Sequence, residues 1–317
     1  MSLSEMNEIE LVELPAHRIF EELGYQTLEG TDVTSERQSY SDVILTARLD
    51  RKIRELNPDL PEIVYETTIN QVKSLSNPST IQNNQEFHQM LLAGVKVPYQ
   101  SEGQTKYYAV RLVDFENPQN NDFAAVRQLI VLQHKQKRLD HVLFVNGLPL
   151  VILEYKDPMN PAADIVAAHK QLGIGNYQKH IPKIFNYNAF LVISDKTYAR
   201  YGTMTAPFER FSDWNDPEDP DRTVANRLEM LQRLMLNKET LLELIQNYLE
   251  YESGGKRTVK KIAQQHQYLG AKKAVERTLD VFSQKDENRI GVIWHTTGSG
   301  KSLTMILYTN MISQIKE

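Results

Sequence analysis

Apolar and polar positions over residues 1 to about 205 alternate between short strand-like runs and longer helical spacings, the pattern of a mixed α/β domain. The first helical stretch runs from about Pro15 to Leu23 and should stop at Gly24, because glycine readily takes the left-handed backbone that ends helices. Strands are predicted at Tyr107 to Phe115, Asp140 to Val145, Leu150 to Tyr155 and Phe190 to Ser194. The run Leu150 to Leu153 is apolar on both faces, which places it in the middle of its sheet. Trp214-Asn215-Asp216-Pro217-Glu218-Asp219-Pro220-Asp221 reads as a turn-rich acidic linker. Leucines at 228, 231, 234, 236, 241, 242, 245 and 249 then fit two amphipathic helices between Val224 and Tyr251. Gly254-Gly255 marks a second break, and from about Lys260 a third part begins. The predicted division is 1–208, an α/β domain; 209–258, a helical connector; and 259–317, the opening of a further α/β domain. No internal repeat or extended low-complexity segment interrupts this plan.

Composition narrows the class. The chain has 317 residues, 41% of them hydrophobic, and no cysteine, so disulfides and thiolate metal sites are excluded. Met1 to Glu10 is polar and acidic, unlike a secretory signal. No apolar run approaches the roughly 18 residues of a membrane span, so no membrane contact and a cytoplasmic location are expected. Net charge is −5, but it is unevenly spread. Glu209 to Glu252 holds eleven acidic and five basic residues, whereas Gly254 to Arg277 holds seven basic residues against Glu276. The lysine block reads either as a solvated face or as a place where a DNA motor touches phosphates.

The run Ile290-Gly291-Val292-Ile293-Trp294-His295-Thr296-Thr297-Gly298-Ser299-Gly300-Lys301-Ser302 carries the clearest chemistry. A buried-looking strand enters a glycine-rich turn, and Lys301-Ser302 opens a helix continued by Leu303 to Leu307. Small residues let the backbone N–H groups of Gly298, Ser299 and Gly300 converge on phosphate oxygens, aided by the helix N-terminus. Lys301 would reach the β- and γ-phosphates of ATP and Ser302 would bind Mg²⁺. His295 stands where the strict pattern has glycine, a departure common in helicase-type motors. The bland alternative is an ordinary Gly/Ser turn before a helix. Lys301 lies sixteen residues before Glu317, and the acidic groups that complete an ATPase come from later strands. The chain is therefore expected to be the first part of a longer protein, binding nucleotide without turning it over.

A second constellation is Asp140 followed by Glu154-Tyr155-Lys156. Residues 154 and 156 point to the same face of their strand, and two charges at the rim of a buried sheet need partners. Asp140 and Glu154 would hold Mg²⁺ through hard oxygen ligands, with Lys156 lowering the pKa of the attacking water or orienting it. The alternative is a strand-end ion pair between Glu154 and Lys156. Geometry sets a condition. With a regular two-residue turn at Asn146-Gly147, Asp140 would face Leu153, on the opposite face from Glu154. The metal site requires an odd-length loop or a bulge near Asp140.

Asp140, a hairpin and Glu154-x-Lys156 resemble the PD-(D/E)xK nuclease signature. Followed by Trp294 to Ser302, they resemble the R (restriction) subunit of type I restriction enzymes. Leu56-Asn57-Pro58-Asp59-Leu60-Pro61, Asp114-Phe115-Glu116-Asn117, Asn146-Gly147-Leu148-Pro149-Leu150, Val192-Ile193-Ser194-Asp195 and Gln267-Tyr268 to Thr278 share the likeness, which covers essentially the whole chain. The resemblance implies a PD-(D/E)xK endonuclease domain, a helical connector and the start of a RecA-like motor. Such a subunit pumps double-stranded DNA by ATP hydrolysis and cuts it at distant, unspecific positions, within a complex with methylation and specificity subunits. It implies Asp140, Glu154 and Lys156 as the nuclease triad, Lys301 and Ser302 as phosphate and Mg²⁺ contacts, and Gln267 as the adenine reader. A reading from another class is a non-catalytic, ATP-gated DNA-binding module with a structural acidic site.

The family often adds a Gln-x-x-x-Tyr helix after the nuclease strand. Here Gln171 and Tyr177 are six apart, and Gly173 and Gly175 point to a distorted segment instead. Glu21 and Glu22 read as a solvated helix face, with an approach to the metal as the alternative. His17, His134, His141 and His169 show no metal spacing and read as surface or packing residues, His141 pointing away from Asp140 across its strand. Tyr99, Tyr107 and Tyr108 read as packing rather than base-stacking residues.

Overall fold

The computed structural model describes residues 3–101, 103–160, 164–218, 226–254, 257–283, 289–294 and 296–315. His295, Asp219, Pro220, Asp221, Val224, Gly255, Lys256 and Glu317, which enter the expectations above, lie outside the described residues. In chain order the strands are β1 (Gln26–Glu29), β2 (Val95–Ser101), β3 (Gln104–Val110), β4 (Phe123–Leu132), β5 (Gln136–Val145), β6 (Leu148–Tyr155), β7 (Phe190–Ser194), β8 (Ala199–Gly202), β9 (Ser212–Asp213), β10 (Leu249–Gly254) and β11 (Arg257–Ile262). A mixed seven-stranded sheet runs β1-β4-β5-β6-β7-β8-β9, with β1–β4 and β6–β7 parallel. The pairs β2–β3 and β10–β11 are separate antiparallel hairpins.

Strand β6 is the fourth of the seven and every residue in it is buried, as its two apolar faces demand. Helix Ile165–Leu172 packs on β6 and β7. A continuous N-terminal helix has two α-helical parts, Leu3–Glu8 and Leu14–Glu22, joined through the π-helical turn Ile9–Glu13. Val12, Ala16, Ile19 and Phe20 form its buried stripe at helical spacing. It ends at Gly24, whose φ is +77°. Arg227–Met235 and Lys238–Asn247 are the two amphipathic helices, started by the Asn226 and Asn237 side chains accepting from Glu229 N and Thr240 N. Helices Gln265–Ser283 and Lys301–Gln314 pack together near the C-terminal end.

Three expectations are corrected. The strand at Tyr107 to Phe115 ends at Val110, because Val110 pairs with Val95, the first residue of β2, and the next N–H, of Arg111, donates to Asn57 Oδ1 at 2.8 Å. The strand at Ile290 to Ile293 does not form, and Val292 and Trp294 are 91% and 88% exposed. Among the described residues no strand lies alongside to accept its hydrogen bonds or cover its side chains. The third concerns the lysine block as a solvated face: β10 returns as β11 with Gly254 opposite Arg257, and Lys260 within this hairpin is buried rather than presented to solvent.

The β5–β6 turn is fixed from outside. Asn146 Nδ2 donates to Leu112 O and Asn121 Oδ1, both at 2.8 Å, while its Oδ1 accepts from Asp122 N at 2.7 Å. Gly147 has φ +81°, and a Cβ there would come 2.5 Å from Leu45 O. Gly147→Ala should therefore cost at least roughly 1–3 kcal/mol of unfolding free energy. Gly175→Ala, where a Cβ meets nothing within 4 Å, should stay within about 0.5 kcal/mol. Urea denaturation of the two variants checks this; equal losses would refute the close-approach argument.

Candidate functional site

The Asn146-Gly147 turn has two residues at positive φ, 52° and 81°, the primed geometry that suits a hairpin. It pairs Val145 with Leu148 and Phe144 with Pro149. An uninterrupted ladder would then set Asp140 opposite Leu153. Instead the register slips: Leu143 pairs with Val151, leaving Leu150 as the extra residue, and His141 faces Leu153. Pro149 has no N–H to give the ladder, and such residues are tolerated at bulges. The slip shifts the ladder by one residue, so that Asp140 and Glu154, each one position beyond the last pair His141–Leu153, fall on the same face. Tyr155 N donates to Asp140 Oδ2 at 2.8 Å, which fixes the carboxylate there.

Glu154 and Lys156 are both buried, and Lys156 Nζ donates to Glu154 Oε1 at 2.9 Å and Tyr155 O at 2.6 Å. Glu154 Oε2 is buried with no hydrogen-bond partner among the described residues. The ion pair alone leaves much of the charge here unanswered. Glu8, Glu13 and Asp140 bring carboxylate oxygens within 4.8 Å of one another. The π-turn explains why two residues five apart on a helix share this cluster: its i→i+5 hydrogen bonding, seen in Leu14 N to Ile9 O, stacks positions 8 and 13. Glu13 Oε2 also accepts from Gln128 Nε2 at 2.7 Å.

Burial, followed by the neighbouring Glu13 charge, pushes Asp140 up to about 7. Burial, followed by Asp140, pushes Glu8 to about 7 as well. Glu154 is held well above the carboxylate range by burial and then by Asp140, and Glu13 is raised by burial. Burial opposes the charge on Lys156, but Glu154 and Asp140 outweigh it and raise its pKa.

Gln171 and Tyr177 meet at this site despite their spacing. Helix Ile165–Leu172 ends at Gly173 and a new turn starts at Tyr177, so Gln171 Nε2 donates to Tyr177 OH at 2.7 Å. Tyr177 OH in turn donates to Arg138 O at 2.9 Å. Both line a cavity of about 430 Å³ with Glu5, Glu8, Asp140 and Lys156. Glu8 and Glu13 were missed by sequence reasoning; their spacing of five is not helical unless a π-turn is foreseen. Glu22 is exposed and paired with Arg233 at 2.6 Å. His141 is fully buried on the other face, 3.0 Å from His17 through Nε2.

In the second constellation Gly298 and Gly300 take φ of +82° and +81°. Lys301 Nζ folds across the loop to donate to Thr296 O at 3.0 Å. Ser299 N also donates to Thr296 O, at 3.3 Å, so this N–H is turned to the loop's own carbonyl rather than inward. Ser302 is exposed at the start of the following helix. Gln267 Nε2 donates to Ser299 O at 3.1 Å and Gly300 O at 3.2 Å, while its Oε1 accepts from Gln264 N. Three of the seven basic residues of the lysine block have structural partners or burial: Lys260 is buried, Lys261 pairs with Glu252 and Lys272 with Glu243.

The fold and site define a mixed α/β protein with a buried carboxylate–lysine cluster on its central strand and a glycine-rich loop–helix near its C-terminal end. Residues 5–210 match the type I restriction enzyme R protein N terminus, and residues 266–317 match the SWI2/SNF2 ATPase family. The chain belongs to the type I restriction enzyme R protein family. It is 36% identical to the type I restriction enzyme HindI endonuclease subunit of Haemophilus influenzae, over 97% of this chain and 30% of that protein. It is 31% identical to the putative type I restriction enzyme MjaIXP endonuclease subunit of Methanocaldococcus jannaschii, over 99% and 32%. The chain thus spans about a third of the length of these relatives. No helix among the described residues is long and apolar enough to cross a membrane.

The cluster has a thermodynamic signature. Asp140 and Glu8 titrate near 7, above their ordinary 3.8 and 4.5. Metal-free stability should therefore be fullest below about pH 4 as far as these groups contribute, and should fall as pH rises through about 7. A divalent cation bound at the cluster would displace those protons and offset the loss. Thermal melts with EDTA should show the midpoint falling from about pH 4 to about pH 7 and levelling above that, with Mn²⁺ reversing the fall near neutral pH. Asp140→Asn should flatten the pH dependence and remove the Mn²⁺ response. A Mn²⁺ response that persists in that variant would remove the cluster as its source.

Proposed function

We propose that this chain carries the nuclease centre of a type I restriction enzyme, a PD-(D/E)xK endonuclease domain acting on double-stranded DNA. The observation that carries the reading is the bulge that brings Asp140 onto the face of Glu154, beside Lys156 and within reach of Glu8 and Glu13. The donor set is all carboxylate oxygen, the chemistry Mg²⁺ takes, and the unpartnered Glu154 Oε2 is one more oxygen available to it. Asp140, Glu154, Glu8 and Glu13 would hold the ion, which when bound would polarise the scissile phosphate and neutralise charge growing on it. Lys156, kept protonated by Glu154 and Asp140, orients the attacking water and places a positive charge where the phosphate develops negative charge. Tyr155 N holds Asp140 in register. Gln171 and Tyr177 line the cavity through which a phosphate reaches these groups.

The second half of the proposal concerns ATP. Gly298, Ser299, Gly300, Lys301 and Ser302 form the phosphate-binding loop that opens a RecA-like motor domain, Ser302 serving Mg²⁺ and Gln267 bracing the loop on its adenine side. The proposed organisation is nuclease 1–208, connector 209–258 and motor opening 259–317. In the assembled enzyme, with methylation and specificity subunits and in the cytoplasm, translocation would bring distant DNA to the nuclease. The Glu154–Lys156 ion pair is what favours the rival reading, an ATP-gated DNA-binding module with a structural acidic site.

The assembled enzyme separates the two. Lys156→Ala should lower DNA cleavage by roughly 10²–10³-fold or more while sparing ATP-driven translocation, with a native circular dichroism spectrum. Lys301→Ala should remove both, since cleavage at a distance depends on pumping. Loss of ATP hydrolysis in Lys156→Ala as complete as in Lys301→Ala would favour the structural ion pair. The 317-residue chain itself should bind ATP in a Mg²⁺-dependent way that Lys301→Ala removes. Calorimetric titration showing equal binding by both proteins would sink the assignment of the loop.

A further inference from the structure

The carboxylates around Asp140 repel the polyanion they are proposed to cut, and the chain as a whole carries a net charge of −5. Something local must hold DNA against that field. Beside the site the β4–β5 ladder continues to Leu132 opposite Gln136, whereas β6 leaves β5 at His141 opposite Leu153. A two-stranded ribbon therefore projects past the end of the central strand. At roughly 3.4 Å per residue, the five residues from Asp140 back to Lys135 span roughly 17 Å.

The ribbon and the segment clasped to it are basic. Gln133-His134-Lys135-Gln136-Lys137-Arg138 and Tyr177-Gln178-Lys179-His180-Ile181-Pro182-Lys183 contain Lys135, Lys137, Arg138, Lys179 and Lys183 and no acidic residue. His180 O accepts from His134 N at 3.0 Å, and Gln133 Oε1 accepts from Lys183 N at 3.1 Å, so the two segments are held side by side. Lys137 Nζ sits 5.5 Å from the centre of the Tyr177 ring. Partial desolvation, followed by the charges of Lys135, Lys137, Lys179 and His134, lowers the pKa of His180; positive charge accumulates at this spot. Lys183 is paired with Asp42 at 3.5 Å, but among the described residues no ion pair joins Lys135, Lys137, Arg138 or Lys179 to a carboxylate. Lys135, Arg138 and Lys179 are exposed. Arg138 and Lys137 line the same cavity as Asp140 and Lys156, so the basic strip begins at the proposed reaction centre and leads away from it.

We propose that the projecting β4–β5 ribbon and the Tyr177–Lys183 segment form a phosphate-binding ridge that holds one strand of duplex DNA across the carboxylate cluster. The proposal rests on the nuclease reading for its substrate. A ridge of roughly 17 Å matches roughly five phosphates of one strand at one per 3.4 Å of helix axis. Contacts from lysine side chains to the backbone carry no sequence information, which suits cleavage at unspecific positions.

The test uses the 317-residue chain and a fluorescein-labelled duplex, with Ca²⁺ in place of Mg²⁺ to suppress cleavage, and follows anisotropy against salt. Lys135→Ala/Lys179→Ala removes two exposed charges that do not line the cavity. It should weaken binding by roughly tenfold or more at ~0.1 M salt and reduce the slope of log K against log salt by about 1.8. Lys135→Arg/Lys179→Arg should restore both, since the contact needs charge rather than a particular head group. An unchanged slope in the alanine variant, or no salt-dependent binding by the wild-type chain, would overturn the ridge. Mn²⁺ titration of Asp140→Asn runs alongside. Lost metal binding there with an unchanged DNA slope in the lysine variant overturns the ridge and leaves the nuclease reading. Retained metal binding there with lost DNA binding in the lysine variant does the reverse.

Discussion

One extra residue in the central strand sets the geometry on which the rest depends. Side chains alternate along a strand, so the hairpin could place Asp140 and Glu154 on one face only by gaining or losing a residue between them. The turn itself cannot provide it. Asn146 is tied to Leu112, Asn121 and Asp122, and Gly147 lies too close to Leu45 O for any side chain. The slip is therefore absorbed at Leu150, where Pro149 has already removed a ladder donor. The freed backbone is not wasted, since Leu150 O accepts from Ala189 N at 2.7 Å as the chain enters β7. The bulge that builds the site thus also helps set the next strand against β6.

Concentrating Glu8, Glu13, Asp140 and Glu154 around a single buried lysine is unfavourable in the metal-free chain. Desolvation heads the causes for all four carboxyls, and each raised pKa marks a group that resists ionising where it sits. The fold tolerates this because the surrounding core is large and well buried, and because partial protonation relieves the repulsion near neutral pH. Carboxyls perturbed by burial and by one another in this way mark a candidate functional site. The π-turn at Ile9–Glu13 belongs to the same account: it gives up regular α-helical hydrogen bonding to bring two glutamates over one point.

Legibility in the sequence followed how local each cause is. Burial of β6 was readable from Leu150 to Leu153 because apolarity on two faces has one structural meaning. The connector helices were readable from their leucine spacing. The need for a bulge could be deduced, but not its place, since only the ties on Asn146 and Gly147 exclude the turn. Glu8 and Glu13 stayed hidden because a π-turn leaves no periodic trace of its own. Gln171 and Tyr177 looked misplaced because spacing arguments assume an unbroken helix, and Gly173 breaks it. The strand at Ile290 to Ile293 shows the opposite failure: its apolar pattern is strand-like, but a strand requires a neighbour, and pattern alone does not supply one.

The β10–β11 hairpin is tied to the α/β domain by polar contacts rather than by a bare linker. In β11, Lys260 Nζ donates to Asn84 Oδ1 at 2.9 Å and Asn188 O at 2.8 Å and sits over the Tyr251 ring. Thr203 and Thr205 hydroxyls donate to Lys260 O. Burial pulls the Lys260 pKa well down, so this lysine acts as a buried hydrogen-bond donor and not as the DNA contact its sequence block suggested. Three residues beyond Ile262, helix Gln265–Ser283 begins, and its Gln267 grips the carbonyls of Ser299 and Gly300. A Cβ on Gly300 would collide with that amide at 2.4 Å, so the loop is shaped against Gln267. The glycine-rich loop is exposed, apart from half-buried Ser299. Contact of this kind does not by itself couple two sites; coupling needs an element with two states that both sites bias.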